Sequence, residues 1–99
     1  MTAPRHVSFD EVLLPTLTDP AEAAAYLDAV LELEDPGALL VALRQVAKAH
    51  GMAEVARRTG VGDKTLFRAL AENGNPTLDT MTKVLHAVGL RLSVAPLSA

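Results

Sequence analysis

Residues Met52–Leu70, MAEVARRTGVGDKTLFRAL, decide how the rest of the chain folds. With helical spacing the stretch divides into two short amphipathic segments around Gly60-Val61-Gly62. The first turns Val55, Ala56 and Thr59 to one side, and the second turns Leu66, Ala69 and Leu70. Gly60 stands where a helix stops in a left-handed residue, and Val61 is an apolar plug between the two helices. Ala56 lies one turn before Gly60, where a larger side chain would push the helices apart. Small residue, glycine, apolar plug and amphipathic helix together are the grammar of a helix-turn-helix. Any tight helical hairpin can use an alanine and a glycine in the same way.

The outward face of the second segment favours the more specific reading. It carries Asp63, Lys64, Phe67 and Arg68, with Gly62 and Thr65 beside them. Helices that pack into a core do not present that combination on their outer side. One that enters the major groove of DNA does: Arg68 can read guanine or hold phosphate, Lys64 can do either, and Phe67 can touch a thymine methyl. The alternative is a solvated charged face, with Phe67 packed on the preceding helix.

Working outward, residues 1–18 form an arm without a clean period. Pro4 and Pro15 break any helix there, while Phe9, Val12, Leu13, Leu14 and Leu17 make it too apolar for a solvated tail. It either folds back on the domain or docks on a partner. Residues 19–99 form the domain proper. Asp19-Pro20-Ala21-Glu22 predicts a capped helix start, and the stripe Ala23, Leu27, Val30 and Leu31, with Tyr26 beside it, predicts a helix over 20–34. Asp35-Pro36 restarts the pattern, and Leu39, Leu40, Leu43, Val46 and Ala47 line a second helix over 36–50, closed by Gly51. The two segments of the motif follow as helices over 52–59 and 63–71.

Beyond the motif, Glu72-Asn73-Gly74-Asn75-Pro76 reads as a turn. Thr77 can cap a last helix over 78–88, with Leu78, Met81, Leu85 and Val88 inward and Gly89 as its end. Residues 90–94, Leu-Arg-Leu-Ser-Val, alternate apolar and polar, the pattern of a strand. A lone strand cannot satisfy its own backbone. Leu90, Leu92 and Val94 therefore predict pairing, either with residues 5–9 or, preferably, with a second copy of the chain. The expected fold class is all-α: a compact five-helix domain with a short C-terminal β-strand.

Ninety-nine residues suffice for one helical core without staples, and the absence of cysteine excludes disulfides and thiolate chemistry. No apolar run approaches a membrane span and the start lacks a signal pattern, so a cytoplasmic protein is expected. The net charge of −3 conceals a division. Residues 1–43 carry one basic residue against eight acidic ones, a net of −7, while residues 44–99 carry eight against four, a net of +4. A basic half suits an anion, and an acidic half suits a cationic partner. Glu32, Glu34 and Asp35 gather where the macrodipole of the first helix disfavours them, which fits the second of these. Two solvated faces of one domain would look the same.

Catalytic and metal chemistry is not indicated. His6, His50 and His86 lack ligand spacing, and His50 and His86 read as polar surface residues. Gly60-x-Gly62 is not followed by the Lys-Ser/Thr or dinucleotide fingerprint of a phosphate loop. Ser8, Ser93 and Ser98 lack the context of a nucleophile. Neither an enzyme nor a cofactor is expected.

From Leu43 to Val94 the chain resembles the HigA-like antitoxins of the "probable addiction module antidote" group, within the lambda-repressor-like helix-turn-helix superfamily. The residues that carry the resemblance are Ala47, Ala49-His50-Gly51-Met52, Val55-Ala56-Arg57, Gly60-Val61, Leu66, Ala69-Leu70, Gly74-Asn75-Pro76 and Leu85-x-x-x-Gly89-Leu90-x-Leu92. Before Leu43 it rests on Phe9-Asp10, Tyr26-Leu27 and Asp35-Pro36. The resemblance implies a type II antitoxin that also represses its own operator as a homodimer. Its partners would be double-stranded operator DNA and a small basic RelE/ParE-like toxin, with no membrane. It also implies that the corner before the last helix lies on the phosphate backbone, which adds Asn75 and Thr77 as secondary DNA candidates; Asn73 fits plain turn chemistry. The toxin would meet the acidic, apolar N-terminal half through Phe9, Leu13, Leu14, Leu17, Tyr26 and Leu27.

Two helix starts depart from the family pattern. Relatives open the first motif helix with Ser or Thr followed by Gln, where this chain has Ala53-Glu54, and they place Ser before the recognition helix, where this chain has Gly62. Alanine at a cap costs about 1 kcal/mol and glycine only a few tenths. Glu54 would also repel phosphate where the family's Gln approaches it. Two rival readings follow: a stand-alone repressor without a toxin, and a protein-interaction module that has lost DNA.

Overall fold

The computed structural model describes residues 16–71 and 73–97. Five α-helices follow in chain order: α1 (Pro20–Leu31), α2 (Pro36–His50), α3 (Met52–Thr59), α4 (Asp63–Ala69) and α5 (Leu78–Ala87), after a 3-10 turn at Thr16–Thr18. Each of the first two helices opens on an Asp-Pro step. The Asp19 carboxylate accepts from the Ala21 N–H at 3.0 Å, and that of Asp35 accepts from Gly37 and Ala38 at 3.0 and 3.3 Å. The proline in each case takes the first turn, where its missing N–H costs nothing.

Helix α1 ends at Leu31, three residues before the predicted limit. Pro36 keeps Asp35 out of the helical region, so the chain must turn beforehand. It does so with short bonds from Leu33 and Glu34 back to Val30 and Leu31, and with Glu34 at φ 55, a left-handed conformation rare for a non-glycine residue. This early stop exposes Leu31, at 54% of its surface, contrary to its predicted place in the stripe. Leu78 is likewise exposed, at 71%, because it is the first residue of α5 and projects past the core. Helices α4 and α5 end at Ala69 and Ala87, slightly short of expectation.

The core lies where α1, α2, α3 and α5 converge. Leu43 and Val46 of α2 are fully buried at its centre, with Val55 of α3, Leu66 of α4 and Val84 of α5 packed around them. Leu17 is also buried, against α1 and α2. Gln45 is a buried polar residue of α2; its Oε1 accepts a hydrogen bond from the Tyr26 hydroxyl, which ties α1 to α2 and offsets the desolvation of the amide. His50, expected at the surface, is half-buried, with Nε2 shielded from solvent.

The predicted strand is absent among the described residues. Helix α5 closes with a Schellman arrangement: Gly89 N–H donates to His86 O at 3.1 Å and Leu90 N–H to Leu85 O at 2.8 Å. Leu90 is thereby folded onto the core. Residues 91–96 then run without ladder bonds among the described residues; residues 5–9, the intrachain partner expected for them, lie outside the described residues. Leu92 is 47% exposed and Val94 96%.

Candidate nucleic-acid interface

The turn between α3 and α4 is built from its own residues. Gly60 adopts φ 74 and donates to Ala56 O at 3.0 Å, so it ends α3 as the sequence requires. Thr59 adds a stitch that the sequence did not announce. Its hydroxyl donates to Ala56 O at 3.0 Å and accepts from Val61 N–H at 3.2 Å, holding both sides of the turn with one buried side chain. Val61 packs partly buried against the core, as the plug it was read to be.

Leu66 and Leu70 are completely buried and orient α4. At 100° per residue, Lys64 and Arg68 then fall opposite them. Gly62, Asp63, Lys64, Thr65, Phe67 and Arg68 are all exposed. Asp63 sits in the first turn, where its negative charge favours the helix. Gly62 supplies no side-chain cap. Phe67 is 50% exposed and borders a concavity shared with Val41, Arg44, Gln45 and Lys48 of α2.

The loop after α4 is held in place by Gly74. A Cβ on that residue would lie 2.4 Å from Ala69 O and 2.7 Å from Arg68 O, closer than any side chain permits. Asn75 is exposed. Thr77 is engaged in capping α5: its hydroxyl accepts from Thr80 N–H at 3.1 Å and lies 3.1 Å from Thr80 Oγ1. On the outer side of α5, Lys83 pairs with Asp79 at 2.9 Å.

Glu54 is not an isolated anion. Arg57 donates Nε to one carboxylate oxygen at 3.0 Å and Nη2 to the other, and Arg58 Nε approaches at 3.2 Å. The hydrogen bond from Arg57, aided by the charges of both guanidiniums, holds the Glu54 carboxyl below its ordinary range, and the same bond raises Arg57. The group as a whole is cationic, so the repulsion expected of Glu54 is offset at its source. Arg58 also donates Nη1 to Ala87 O at 2.9 Å, capping the last turn of α5 from α3. Nothing in the sequence spacing announces a bond across 29 residues.

The residues assigned to a toxin surface separate into three groups. Leu17 and Leu27 are buried in the core, Leu17 against α1 and α2. Tyr26 is half-buried and bonded to Gln45. Phe9, Leu13 and Leu14 lie outside the described residues. The acidic half does present apolar side chains that sequence reading missed, namely Leu31 and Leu33, flanked by Asp28, Glu32 and Glu34.

The chain is a small, all-helical domain with a cationic helix on one surface and acidic residues on another. Comparison of families makes this specific: residues 8–96 match the model described as "Probable addiction module antidote protein", and the chain belongs to that family. It is therefore an antidote protein, whose role implies a toxin partner. An uncharacterized protein of Haemophilus influenzae is 36% identical to it over 78 residues, spanning 79% of this chain and 80% of the relative. No solved structure matches. Among the described residues, no helix is long and apolar enough to cross a membrane.

Proposed function

We propose that this antidote protein is also a DNA-binding autorepressor. In this reading α3 and α4 form a helix-turn-helix of the lambda-repressor type, and α4 enters the major groove with Lys64 and Arg68 as principal contacts. The observation that carries it is the division of α4 itself: Leu66 is wholly buried, while Lys64, Thr65, Phe67 and Arg68 are all exposed on a helix too short to serve as a structural strut. Two copies, paired through residues 90–94, would set two such helices on a two-fold operator. The cytoplasm is the compartment this role requires.

Toxin neutralisation would use the acidic half. A small basic RelE/ParE-like protein suits the net charge of −7 over residues 1–43. Phe9, Leu13 and Leu14 of the arm, with Leu31 and Leu33, replace Leu17 and Leu27 as its apolar contacts. Removal of residues 1–15 leaves Leu17 in place and should weaken co-purification with the toxin; full retention of the complex would exclude the arm.

The DNA reading is tested by fluorescence anisotropy with labelled duplex from upstream of the gene and a scrambled control, over a range of salt. Selective binding that weakens with salt supports it. Weak, equal binding to both duplexes, with and without the toxin present, would refute it.

A further inference from the structure

Arg44 and Lys48 stand one turn apart on α2 and border, with Phe67 of α4, the same concavity. Lys48 is exposed, and Arg44 makes no ion pair among the described residues. Like charges at this spacing weaken a helix. Lys48, in the last turn, is compensated by the macrodipole, but Arg44 in the middle of α2 is not. Neither core packing nor helix stability accounts for a cation there.

The position relative to α4 does account for it. Lys64 and Arg68 occupy the middle of the exposed face of α4, and Phe67 lies on the flank that meets α2. A helix with its side chains is about 10–12 Å across and the major groove about 12 Å wide, so a helix in the groove fills it from wall to wall. Side chains on a neighbouring element beside that helix then face the sugar–phosphate wall, not the base edges.

We propose that Arg44 and Lys48 form a phosphate-binding site beside α4, gripping the DNA strand that borders the groove. Two cations continuous with the basic face of α4 complement that strand in charge. They fix the depth and register of α4 without reading sequence, as phosphate contacts do. The inference rests on the DNA-binding reading above and extends its footprint to a helix outside the motif.

The test compares the full-length protein with Arg44→Gln/Lys48→Gln, Lys48→Gln alone, Arg44→Lys and Arg68→Ala, by anisotropy on the upstream and scrambled duplexes between about 50 and 200 mM salt. Each lost phosphate contact lowers the slope of log affinity against log salt by about 0.9. The double variant should therefore lose close to two units of slope, and Lys48→Gln close to one. Affinity should fall by the same factor on both duplexes, leaving selectivity unchanged, and Arg44→Lys should keep the wild-type slope. A double variant with wild-type slope and affinity overturns the site, as does one whose selectivity collapses. If Arg68→Ala abolishes selectivity while the double variant behaves as wild type, the DNA reading stands and this inference alone fails. Wild-type protein that selects neither duplex, with and without the toxin present, overturns both.

Discussion

Helices α3 and α4 differ by one residue in length, eight against seven, and meet at a three-residue turn, but they are held by opposite means. Helix α3 buries Val55 and Ala56, donates Arg58 to the end of α5 and gathers Glu54, Arg57 and Arg58 into one ionic group. Helix α4 has no side-chain cap, and within it Leu66 alone is buried. The polar side chains of α3 are thus spent on the protein itself, whereas those of α4 remain available to a ligand. A helix that presents a surface has to be oriented by very few contacts, and here those contacts are leucines.

The sharpest way to break this contrast is to remove the leucine. Leu66→Ala should destabilise the fold by about 2–5 kcal/mol, seen as a large drop in the urea midpoint; a change under 1 kcal/mol would mean that α4 is oriented by something else. Arg68→Ala should leave the unfolding midpoint within experimental error and cost roughly 1–3 kcal/mol of operator binding if it reads a base. Anisotropy and thermal melts on the same sample separate the two effects. Arg58→Ala addresses the other helix: loss of its bond to Ala87 O should cost about 1 kcal/mol of stability, with little added from the exposed ion pair to Glu54. Equal loss on disrupting Glu54 alone would reassign that stability to the ion pair. The smallest effect is expected from Gly62→Ser, which supplies the absent cap of α4 and should raise stability by a few tenths of a kcal/mol. A decrease would show that the Gly62 backbone does not tolerate a side chain.

Acid should act on α3 through Glu54. Glu54 is held below its usual value of 4.5 in the folded chain, so its contribution is present at neutral pH and lost as pH falls through the lowered folded value. Glu54→Gln should remove that part of the acid limb from pH-dependent melts, and an unchanged limb would show that the arginines do not depress its titration.

Most of the helical plan was legible because its signals are local. Asp-Pro starts, Gly60 and the apolar stripes each act within a turn or two of chain, and they located five helices to within three residues. Missed features depend on groups distant in sequence. The Arg58 bond to Ala87 and the concavity that Arg44 shares with Phe67 exist only once helices have packed; the Thr59 stitch is the exception, a local bond to residues two and three positions away. Leu17 and Leu27 read as apolar and therefore as available to a partner, but periodicity cannot separate an apolar residue that faces a partner from one that faces the core. Residues 90–94 show the converse limit. Alternation describes a strand's side chains, whereas a strand also needs a second backbone, and none lies beside residues 90–94 among the described residues.

Gly74 has a consequence for how the sequence can vary. With two main-chain oxygens of Ala69 and Arg68 inside 3 Å of where a Cβ would stand, the loop is gauged against the end of α4 by backbone contact alone. Such a joint tolerates exchange of its exposed side chains but not a change in its length. An inserted or deleted residue between Ala69 and Pro76 would shift Asn75 and Thr77 relative to Arg68, altering the spacing of the whole surface while leaving every helix intact.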